Sequence, residues 1–249
     1  MPKFPYSVPR TVGEKLGEVI SVLDFGADAS GTANSSTAFQ NAIAAADSVD
    51  GCAIHVPAGT YTLNSAVEFA AGVDNITLYG DGPATILKRG ADLATSKGLL
   101  DISGAGITIR DLATEGMVVD TTGRRYGTMT GENGGDDPMH ADLTKNTSIW
   151  IHSGAQRVRI QNVTIRHTGG YAVLIDARTA DVEDVLIESC RIEQCRPFVF
   201  GISDDDLNYG SWVGGIHYQG DCRESAPYSV KGLSVVDCTF DRLNGACCW

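Results

Sequence analysis

The stretch RVRIQNVTI, residues 157–165, contains the pattern that decides the fold of this chain. Apolar residues alternate with others at Val158 and Ile160, the polar residue Asn162 breaks the phase, and the alternation resumes at Val163. Alternation with a period of two is typical of a β-strand, and a polar residue that breaks the phase indicates a bend. The stretch therefore predicts two short strands joined by a tight turn.

The same pattern recurs along the chain. Successive copies of the pattern are separated by about one or two units of 25 residues. This spacing favours a solenoid, in which each coil of several strands stacks about 4.8 Å above the last. A β-sandwich or a propeller would not repeat the same bend chemistry, so we predict an all-β, single-stranded parallel β-helix. The copies are GITIRDLAT, DVLIESCRI and GLSVVDCTF with a shorter relative, NITLYG, and their first apolar positions are Ile107, Val185, Leu233 and Ile76, beside Val158.

The composition agrees with a β-rich globular protein. Of 249 residues, 29 are glycine and only 7% are aromatic, which favours short strands and tight turns over helical bundles. The seven cysteines include Cys190 and Cys238, which occupy equivalent positions in two copies of the repeat. We expect both to be small apolar core residues with free thiols.

The charge excludes one class of partner. With 31 acidic and 19 basic side chains, the net charge is −12, which would repel a nucleic acid and would slow the approach of a strongly anionic polysaccharide. No apolar run reaches the length of a membrane span, and MPKFPYSVPR lacks the apolar segment of a secretory signal. We expect neither a nucleic-acid partner nor a membrane span.

A helix is predicted over residues 36–47, where alanines are frequent. The hydroxyls of Ser35 and Ser36 are expected to cap its first turn. Because the open end of a β-helix is a template for aggregation, the helix is predicted to cover the first coil. One apolar face recurs at helical spacing, made of Ala38, Phe39, Ala42, Ile43 and Ala46.

Three segments together resemble the opening of the pectate-lyase-like superfamily of right-handed parallel β-helices: SVLDFGADASGTANSSTAFQNAIAAA, HVPAGTYTL and NITLYGDGPATILK. The resemblance runs from about Val19 to Lys88 and is most specific at residues 24–27, 57–61 and 80–82. One departure is that Asn34 and Ser35 stand where the family commonly has paired aspartates. The resemblance implies a right-handed solenoid with an N-terminal capping helix.

The segment RTVGEKLGEVISVLDFGA, from Arg10, is similar to the neck that precedes the β-helix in bacteriophage tailspike and tail-fibre proteins. It divides the chain into a lead-in at 1–18 and a β-helix domain at 19–249. The similarity implies a homotrimer in the virion tail, assembled in the host cytoplasm, that binds and often cleaves a bacterial surface polysaccharide. The alternatives are a non-catalytic receptor-binding spike and a free-standing, secreted polysaccharide lyase or epimerase.

The sequence after the last repeat carries no polar cap or closing helix. Both ends of a β-helix need cover, so we expect either a C-terminal truncation or a partner chain against residues 240–249.

Cleavage of a sugar chain needs either a pair of carboxyl groups or a base that removes a proton beside a uronate carboxylate, helped by a cation. Acidic clusters that could supply these groups fall in the long segments 114–148 and 194–230 and after the copy at Val158. Loop insertions in a solenoid commonly form its binding face, so these clusters are expected to meet in one groove. The candidate catalytic residues are Asp136, Asp137, His140, Tyr171, Asp176, Asp204, Asp205, Asp206, His217 and Asp221.

Roles within the groove follow from chemistry. Crowded carboxyl groups would raise one another's pKa, which suits a general acid, and His140 or His217 would act as the base. GGYAVLID, with Tyr171 and Asp176, distantly resembles the catalytic segment of mannuronan epimerases and alginate lyases, although no histidine is near. No cofactor is expected, except that a divalent cation such as calcium would suit such chemistry. The candidate substrate-binding residues are Arg178, Tyr209, Trp212, Tyr218 and Arg223.

Overall fold

The computed structural model describes residues 19–49, 51–90, 93, 98–116, 147–168, 171–193, 195, 215–219 and 228–241. They form one helix, α1 (Ser36–Asp47), a short 3-10 turn (Val22–Phe25) and many short strands. The strands are β1 (Val19–Ser21), β2 (Ser30–Asn34), β3 (Ala53–Val56), β4 (Gly59–Leu63), β5 (Val67–Phe69), β6 (Thr77–Gly80), β7 (Thr85–Arg89), β8 (Leu100–Ile102), β9 (Thr108–Glu115), β10 (Ile149–Ile151), β11 (Gln156–Arg166), β12 (Val173–Asp176), β13 (Val182–Glu188), β14 (Arg191–Glu193), β15 (Ile216–Gln219), β16 (Val230–Val236) and β17 (Thr239–Asp241).

All pairings between these strands are parallel, and they build two sheets. One sheet has twelve strands and includes the path β1-β3-β6-β9-β11-β13-β16, and the other has five strands in the order β15-β12-β10-β8-β5. The chain alternates between the sheets, so that each passage stacks on the one before it. The described part of the chain is therefore a parallel β-helix.

The predicted register is confirmed. Val158 pairs with Val185, and Val185 pairs with Leu233. The backbone N–H of Arg159 donates to the carbonyl of Ile107 at 2.9 Å, which places Ile107 in the same column. Ile107, Val158 and Val185 are fully buried in the interior between the sheets, as the alternating pattern requires, whereas Leu233, in the last of these copies, is 38% exposed.

Polar residues in the left-handed backbone region make the bends, which lie inside the continuous strands β9 and β11 and, further along the chain, between β13 and β14 and between β16 and β17. Asp111, Asn162, Ser189 and Asp237 have φ between 51° and 56°, and each stands at the phase break of its repeat. A short polar side chain tolerates this conformation better than a branched apolar one. The side-chain amide of Asn162 also donates to Asp111 Oδ1 at 2.8 Å, which links two successive bends.

The predicted apolar face of helix α1 is buried, with Phe39 in edge-to-face contact with Tyr61 at 5.6 Å between ring centroids. The prediction that Ser35 and Ser36 cap the helix is wrong. The Ser35 hydroxyl accepts instead from the backbone N–H of Asp28 at 2.9 Å, and Asn34 Oδ1 accepts from the N–H of Ser36 at 3.1 Å. Ser36 Oγ donates to the same Asn34 oxygen and to the carbonyl of Ser65, so both hydroxyls join the helix to the loops around it.

Two glycines of the opening motif stand where successive coils approach each other closely. A Cβ on Gly59 would lie 2.7 Å from the Ala29 carbonyl oxygen, and φ there is +155°. A Cβ on Gly80 would lie 2.6 Å from the carbonyl oxygen of Asp111. Coils approach too closely at these points for any side chain.

Cys190 is buried and Cys238 is partly buried, and both have free thiols, as predicted. Among the described residues, no helix has the length and apolar character to cross a membrane.

Candidate functional site

The face of the five-stranded sheet that points away from the interior carries a distinct set of side chains. In β5, β8, β10 and β12, every second residue, such as Ile149, Ile151, Val173 and Ile175, belongs to the main core. The residues between them point the other way and align across the strands. This outward row runs Glu68, Asp101, Trp150, Leu174 and His217.

Asp101 and His152 form a pair on this face. Asp101 lies in the middle of β8, and His152 follows the last residue of β10. Strand pairing holds the two elements in register, and the backbone N–H of His152 donates to the carbonyl of Ile102 at 2.8 Å. As a result, His152 Nε2 lies 3.3 Å from Asp101 Oδ1.

The two partners of this pair differ in burial. The side chain of Asp101 is 3% exposed, whereas that of His152 is 28% exposed. Asp101 Oδ1 also accepts from the backbone N–H of Gly98 at 2.8 Å, which fixes the carboxylate. The His152 ring stacks on Trp150 with 4.7 Å between centroids and 13° between planes. The Asp101 carboxylate is therefore held in place, and it contacts an imidazole that reaches the surface.

Asp176 and Arg178 form a second pair, one coil further along. Arg178 Nε donates to Asp176 Oδ1 at 2.9 Å and its NH2 group donates to Oδ2 at 2.6 Å. This bidentate geometry is the strongest form of an arginine–carboxylate contact, and it raises the pKa of Arg178. The Asp176 side chain is 9% exposed and that of Arg178 is 51% exposed, so the arginine presents the pair to solvent.

A shallow pocket of about 320 Å³ joins the two pairs. It is lined by His152, Ser153, Asp176, Arg178 and Thr179. Ser153 Oγ donates to the carbonyl of Asp176 at 2.8 Å and accepts from the N–H of Thr179 at 3.2 Å, which ties the loops of the two coils together. The pocket thus offers an imidazole, a carboxylate, a guanidinium and hydroxyl groups, which are the groups that bind sugar hydroxyls.

The two carboxylates stand on either side of His152. Asp176 lies two strands across and two residues along from Asp101, and this spacing puts their Cα atoms roughly 12 Å apart. His152 directly follows β10, the strand between them. The pocket therefore combines an imidazole that can transfer a proton with an arginine–carboxylate pair that can bind sugar hydroxyls.

An aromatic and aliphatic cluster closes the other side of the face. Trp150, Tyr171 and Leu174 are buried in a cluster apart from the main core. Tyr171 stacks on His217 with 4.5 Å between ring centroids and 12° between planes. Burial raises the pKa of Tyr171, which keeps its hydroxyl protonated.

Five of the residues predicted from sequence lie on or beside this sheet: Tyr171, Asp176, Arg178, His217 and Tyr218. Asp176 and Arg178 meet in the pocket, while Tyr171 and His217 meet in the stacked pair. The remaining ten lie outside the described residues, and their participation stays a prediction: Asp136, Asp137, His140, Asp204, Asp205, Asp206, Tyr209, Trp212, Asp221 and Arg223.

Sequence reasoning missed Asp101 and His152. Asp101 belongs to the three-residue strand LDI, and His152 directly follows the three-residue strand IWI; strands this short show no alternating pattern. One signal was available, because Ser-Gly-Ala directly follows the first of these strands, at 103–105, and comes one residue after the second, at 153–155. Aligning the two copies would have placed Asp101 and His152 on successive coils of the same sheet.

A second histidine–aspartate pair lies on the twelve-stranded sheet. His55 Nε2 is 2.8 Å from Asp81 Oδ1, and their side chains are 29% and 47% exposed. Asp81 Oδ2 accepts from the backbone N–H of Ala58 at 2.9 Å, and His55 lowers the pKa of this carboxyl. This pair closes the turn of the HVPAGTY segment. The Asp81 carboxylate is far more exposed than that of Asp101, while the two histidines are about equally exposed.

Within the described ranges, no group of three or more histidine, cysteine, aspartate or glutamate side chains is arranged to hold a metal ion.

Comparison with known proteins gives a family and a fold. The family model described as "Rhamnogalacturonase A/epimerase, pectate lyase-like" matches residues 19–171, more than half of the chain. None of the curated proteins is similar enough in sequence to count as a match.

Three solved structures illustrate the fold. A proposed glycosyl hydrolase of Parabacteroides merdae is 14% identical with a TM-score of 0.57, over 89% of this chain and 95% of that one. The ORF18 protein of Geobacillus virus E2 is 12% identical with a TM-score of 0.52, over 92% and 43% of the two chains. A family 28 exopolygalacturonase of Yersinia enterocolitica is 16% identical with a TM-score of 0.55, over 90% and 48%. The chain thus spans less than half the length of the last two.

Proposed function

The chain belongs to the pectate-lyase-like family described as rhamnogalacturonase A/epimerase, and from this premise we propose that it binds and depolymerises a bacterial surface polysaccharide. We place the reaction on the outward face of the five-stranded sheet. The observation that carries the proposal is the contact of the buried Asp101 carboxylate with the partly exposed His152, at the edge of a pocket that holds Asp176 and Arg178.

In this proposal His152 moves the proton. Asp101 holds Nε2 of the imidazole, so that Nδ1 is left as the acceptor for a proton from water or from the sugar. The distance of 3.3 Å is long for a hydrogen bond, and such contacts commonly shorten when substrate is bound. The pair of Asp176 and Arg178 binds sugar hydroxyls, and its guanidinium faces the developing negative charge.

The test compares two matched pairs of variants. We expect His152→Gln and Asp101→Asn each to lower turnover of a bacterial capsule or lipopolysaccharide by about 10²-fold or more, measured as new reducing ends and as absorbance of unsaturated uronates. His55→Gln and Asp81→Asn remove the other histidine–aspartate contact and should leave turnover within about twofold of the wild type. Equal losses in both pairs would show that the substitutions act through folding and would contradict the site.

A non-catalytic receptor-binding spike is the second candidate. It is favoured by the bidentate contact of Arg178, which occupies both oxygens of Asp176 and leaves this carboxylate less available to act on a substrate. In that case the protein retains a bacterial polysaccharide without releasing any reducing ends. Loss of retention in Arg178→Ala, with no turnover in the wild type, would support this candidate.

We further propose a tailspike setting. The lead-in at residues 1–18 resembles a tailspike neck, and one protein of similar fold comes from Geobacillus virus E2. On this proposal, residues 19–249 form the β-helix domain of a homotrimer in the virion tail. Light scattering coupled to size exclusion tests it, since three chains per particle support the tailspike and a monomer supports a free-standing lyase or epimerase.

We infer two finer features of the fold. The winding is right-handed, as in the superfamily that the opening segments resemble, and helix α1 covers the first coil. The cover is supported by the buried face of the helix, where Phe39 and Ile43 join the main core. Replacing Phe39 by Ala should therefore expose the first coil and cost about 3 to 5 kcal/mol of unfolding free energy.

The acidic residues outside the described ranges remain part of the proposal. Replacing Asp137 or Asp205 with Asn should lower turnover by about 10²-fold if either carboxyl group reaches the pocket. Addition of calcium should raise turnover only if a cation takes part, and a chelator should then reverse the gain.

A further inference from the structure

The His152 ring is held at its edge by a contact that does not fix its plane. His152 directly follows β10, and its backbone N–H donates to the carbonyl of Ile102 at 2.8 Å. Its Nε2 lies 3.3 Å from Asp101 Oδ1, which is long for a hydrogen bond, and 28% of the side chain is exposed. A single long contact at one edge lets a ring turn about that contact. A second contact, on the face of the ring, is needed to set the plane of the imidazole.

Trp150 makes this second contact. The two side chains stand two residues apart on the outward face of the sheet, and their rings stack with 4.7 Å between centroids and 13° between planes. Flat rings at this separation prefer an offset stack, which favours one orientation of each ring over the others. Stacking covers a face of the imidazole and not its edge, which carries both ring nitrogens.

The indole of Trp150 is itself fixed by its surroundings. It is 7% exposed and packs with Tyr171 and Leu174, which are 2% and 0% exposed. Strand β10 lies between β8 and β12, so that Trp150 pairs with Asp101 on one side and with Leu174 on the other. A side chain packed this closely keeps a single rotamer. The indole therefore presents a fixed flat surface to His152.

Gly98 connects Trp150 to Asp101. Its backbone N–H donates to Asp101 Oδ1 at 2.8 Å. A Cβ on Gly98 would lie 3.0 Å from that same oxygen and 3.0 Å from the Cβ of Trp150. The backbone at residue 98 thus packs against both side chains that contact the His152 ring, and a side chain there would press on both.

The indole N–H takes no part in these contacts. Trp150 Nε1 is buried, and no residue that the structure describes accepts a hydrogen bond from it. A buried donor without a partner destabilises a protein, so the N–H does not account for a tryptophan at this position. What Trp150 offers to His152 is the flat face of its ring, which a phenylalanine also has.

We propose that Trp150 is a positioning residue for the candidate site: its ring fixes the plane of the His152 imidazole, so that one ring nitrogen meets Asp101 and the other faces the pocket. The inference deepens the proposed function, because it rests on the assignment of proton transfer to His152. Trp150 is not among the residues that line the pocket, and it acts on the substrate only through His152.

The stack can be measured by NMR whether or not the protein is an enzyme. A ring proton that lies over the face of an indole resonates upfield of its usual position, and His152→Gln identifies the signals of His152. In the wild type we expect upfield His152 ring protons with nuclear Overhauser contacts to Trp150. Trp150→Leu should return these signals to their usual positions, whereas Trp150→Phe should keep them upfield. Wild-type signals without an upfield shift would overturn the inference without any variant.

Tyr79 and His55 provide the matched control, since their rings stack with 5.0 Å between centroids and 23° between planes. Tyr79→Leu should move the His55 signals and leave those of His152 unchanged. Circular dichroism and thermal unfolding check the fold of each variant. If Trp150→Leu does not fold, Gly98→Ala takes its place, because the added Cβ presses on Trp150 and should move the His152 signals. Wild-type His152 signals in a folded form of either variant would overturn the inference.

Turnover separates this inference from the proposed function. With a cleaved polysaccharide in hand, Trp150→Leu should lower kcat by roughly 10- to 100-fold with little change in KM. Trp150→Phe should recover most of that loss, and Tyr79→Leu should stay within about twofold of the wild type.

The possible results lead to different conclusions. If the His152 signals respond as expected and no polysaccharide is cleaved, the proposed activity fails while the positioning role stands. If Trp150→Leu releases the stack and kcat is unchanged, the positioning role is overturned while the activity stands. A Trp150→Phe that keeps the stack but is as slow as Trp150→Leu would show that the indole N–H acts, and would also overturn the inference.

Discussion

The carboxylates of Asp101 and Asp81 each contact a histidine, yet they lie in different surroundings. The Asp101 side chain is 3% exposed and that of Asp81 is 47% exposed. Electrostatic contacts are weakened by water, so an ionic partner holds an imidazole more firmly where water is excluded. For this reason we assign the site to Asp101 and His152, and we use Asp81 and His55 as the matched control.

At the residue scale, Cys190 should make the protein sensitive to alkaline pH. It is 1% exposed, and burial raises the pKa of its thiol to about 12 from a reference value of 9.0. The folded thiol keeps its proton while the unfolded one ionises, so this contribution is fully present below pH 9 and is lost as pH rises towards 12. At pH 10 we expect a loss on the order of 1 kcal/mol from this group.

Urea unfolding of the wild type and of Cys190→Ala, measured between about pH 8 and pH 10, checks this. The alanine variant should be less stable at pH 8, because it leaves a small cavity, but its stability should fall less steeply. Parallel curves for the two proteins would contradict the assignment to Cys190.

At the scale of the elements, the bends hold successive coils together. Asn162 has φ of 51° and donates to Asp111 Oδ1 at 2.8 Å. Asn162→Ala should lose about 2 kcal/mol of unfolding free energy, from the strained backbone and from the lost hydrogen bond. Asn162→Gly should lose about half of that, because glycine adopts the left-handed region without strain.

Denaturant midpoints of the two variants provide the measurement. If glycine were as destabilising as alanine, the side-chain contact alone would account for the effect, and the backbone argument would be wrong.

The same bends explain what could be predicted from the sequence. A polar residue at each phase break, as at Asn162 and Asp237, fixes the register of long strands such as β11 and β16, so the solenoid and its columns followed from the pattern. The helix at 36–47 also followed, because its apolar face has a helical period. The residue that caps the helix could not be predicted, because several neighbouring serines and Asn34 can all accept from the same N–H groups.

The site was predicted only in part. Asp176 and Arg178 were identified because charged residues after an apolar strand are conspicuous, but their mutual contact depends on side-chain geometry. Asp101 was overlooked because an acidic residue between two buried aliphatic residues gives no periodic signal. Its partner His152 is about 50 residues further along the chain, and only the stacking of coils brings such distant segments together.

At the scale of the whole molecule, the net charge of −12 should discriminate against anionic glycans. Binding of polygalacturonate should strengthen as salt is raised from about 0.01 M to 0.1 M, because the Debye length falls from about 30 Å to 10 Å. Binding of a neutral glycan should change little. Titration calorimetry at the two salt concentrations measures both, and tighter polygalacturonate binding at low salt would show that local cations dominate over the net charge.

The central claim is that the outward face of the five-stranded sheet binds the polysaccharide. A crystal structure of the chain with oligosaccharides prepared from a capsule or lipopolysaccharide that it retains tests this most directly. We predict sugar density in the pocket at the ends of β10 and β12, with a hydroxyl or carboxylate within hydrogen-bond distance of His152 or Arg178. Sugar bound to the twelve-stranded sheet beside His55, with the pocket at His152 empty, would contradict the account.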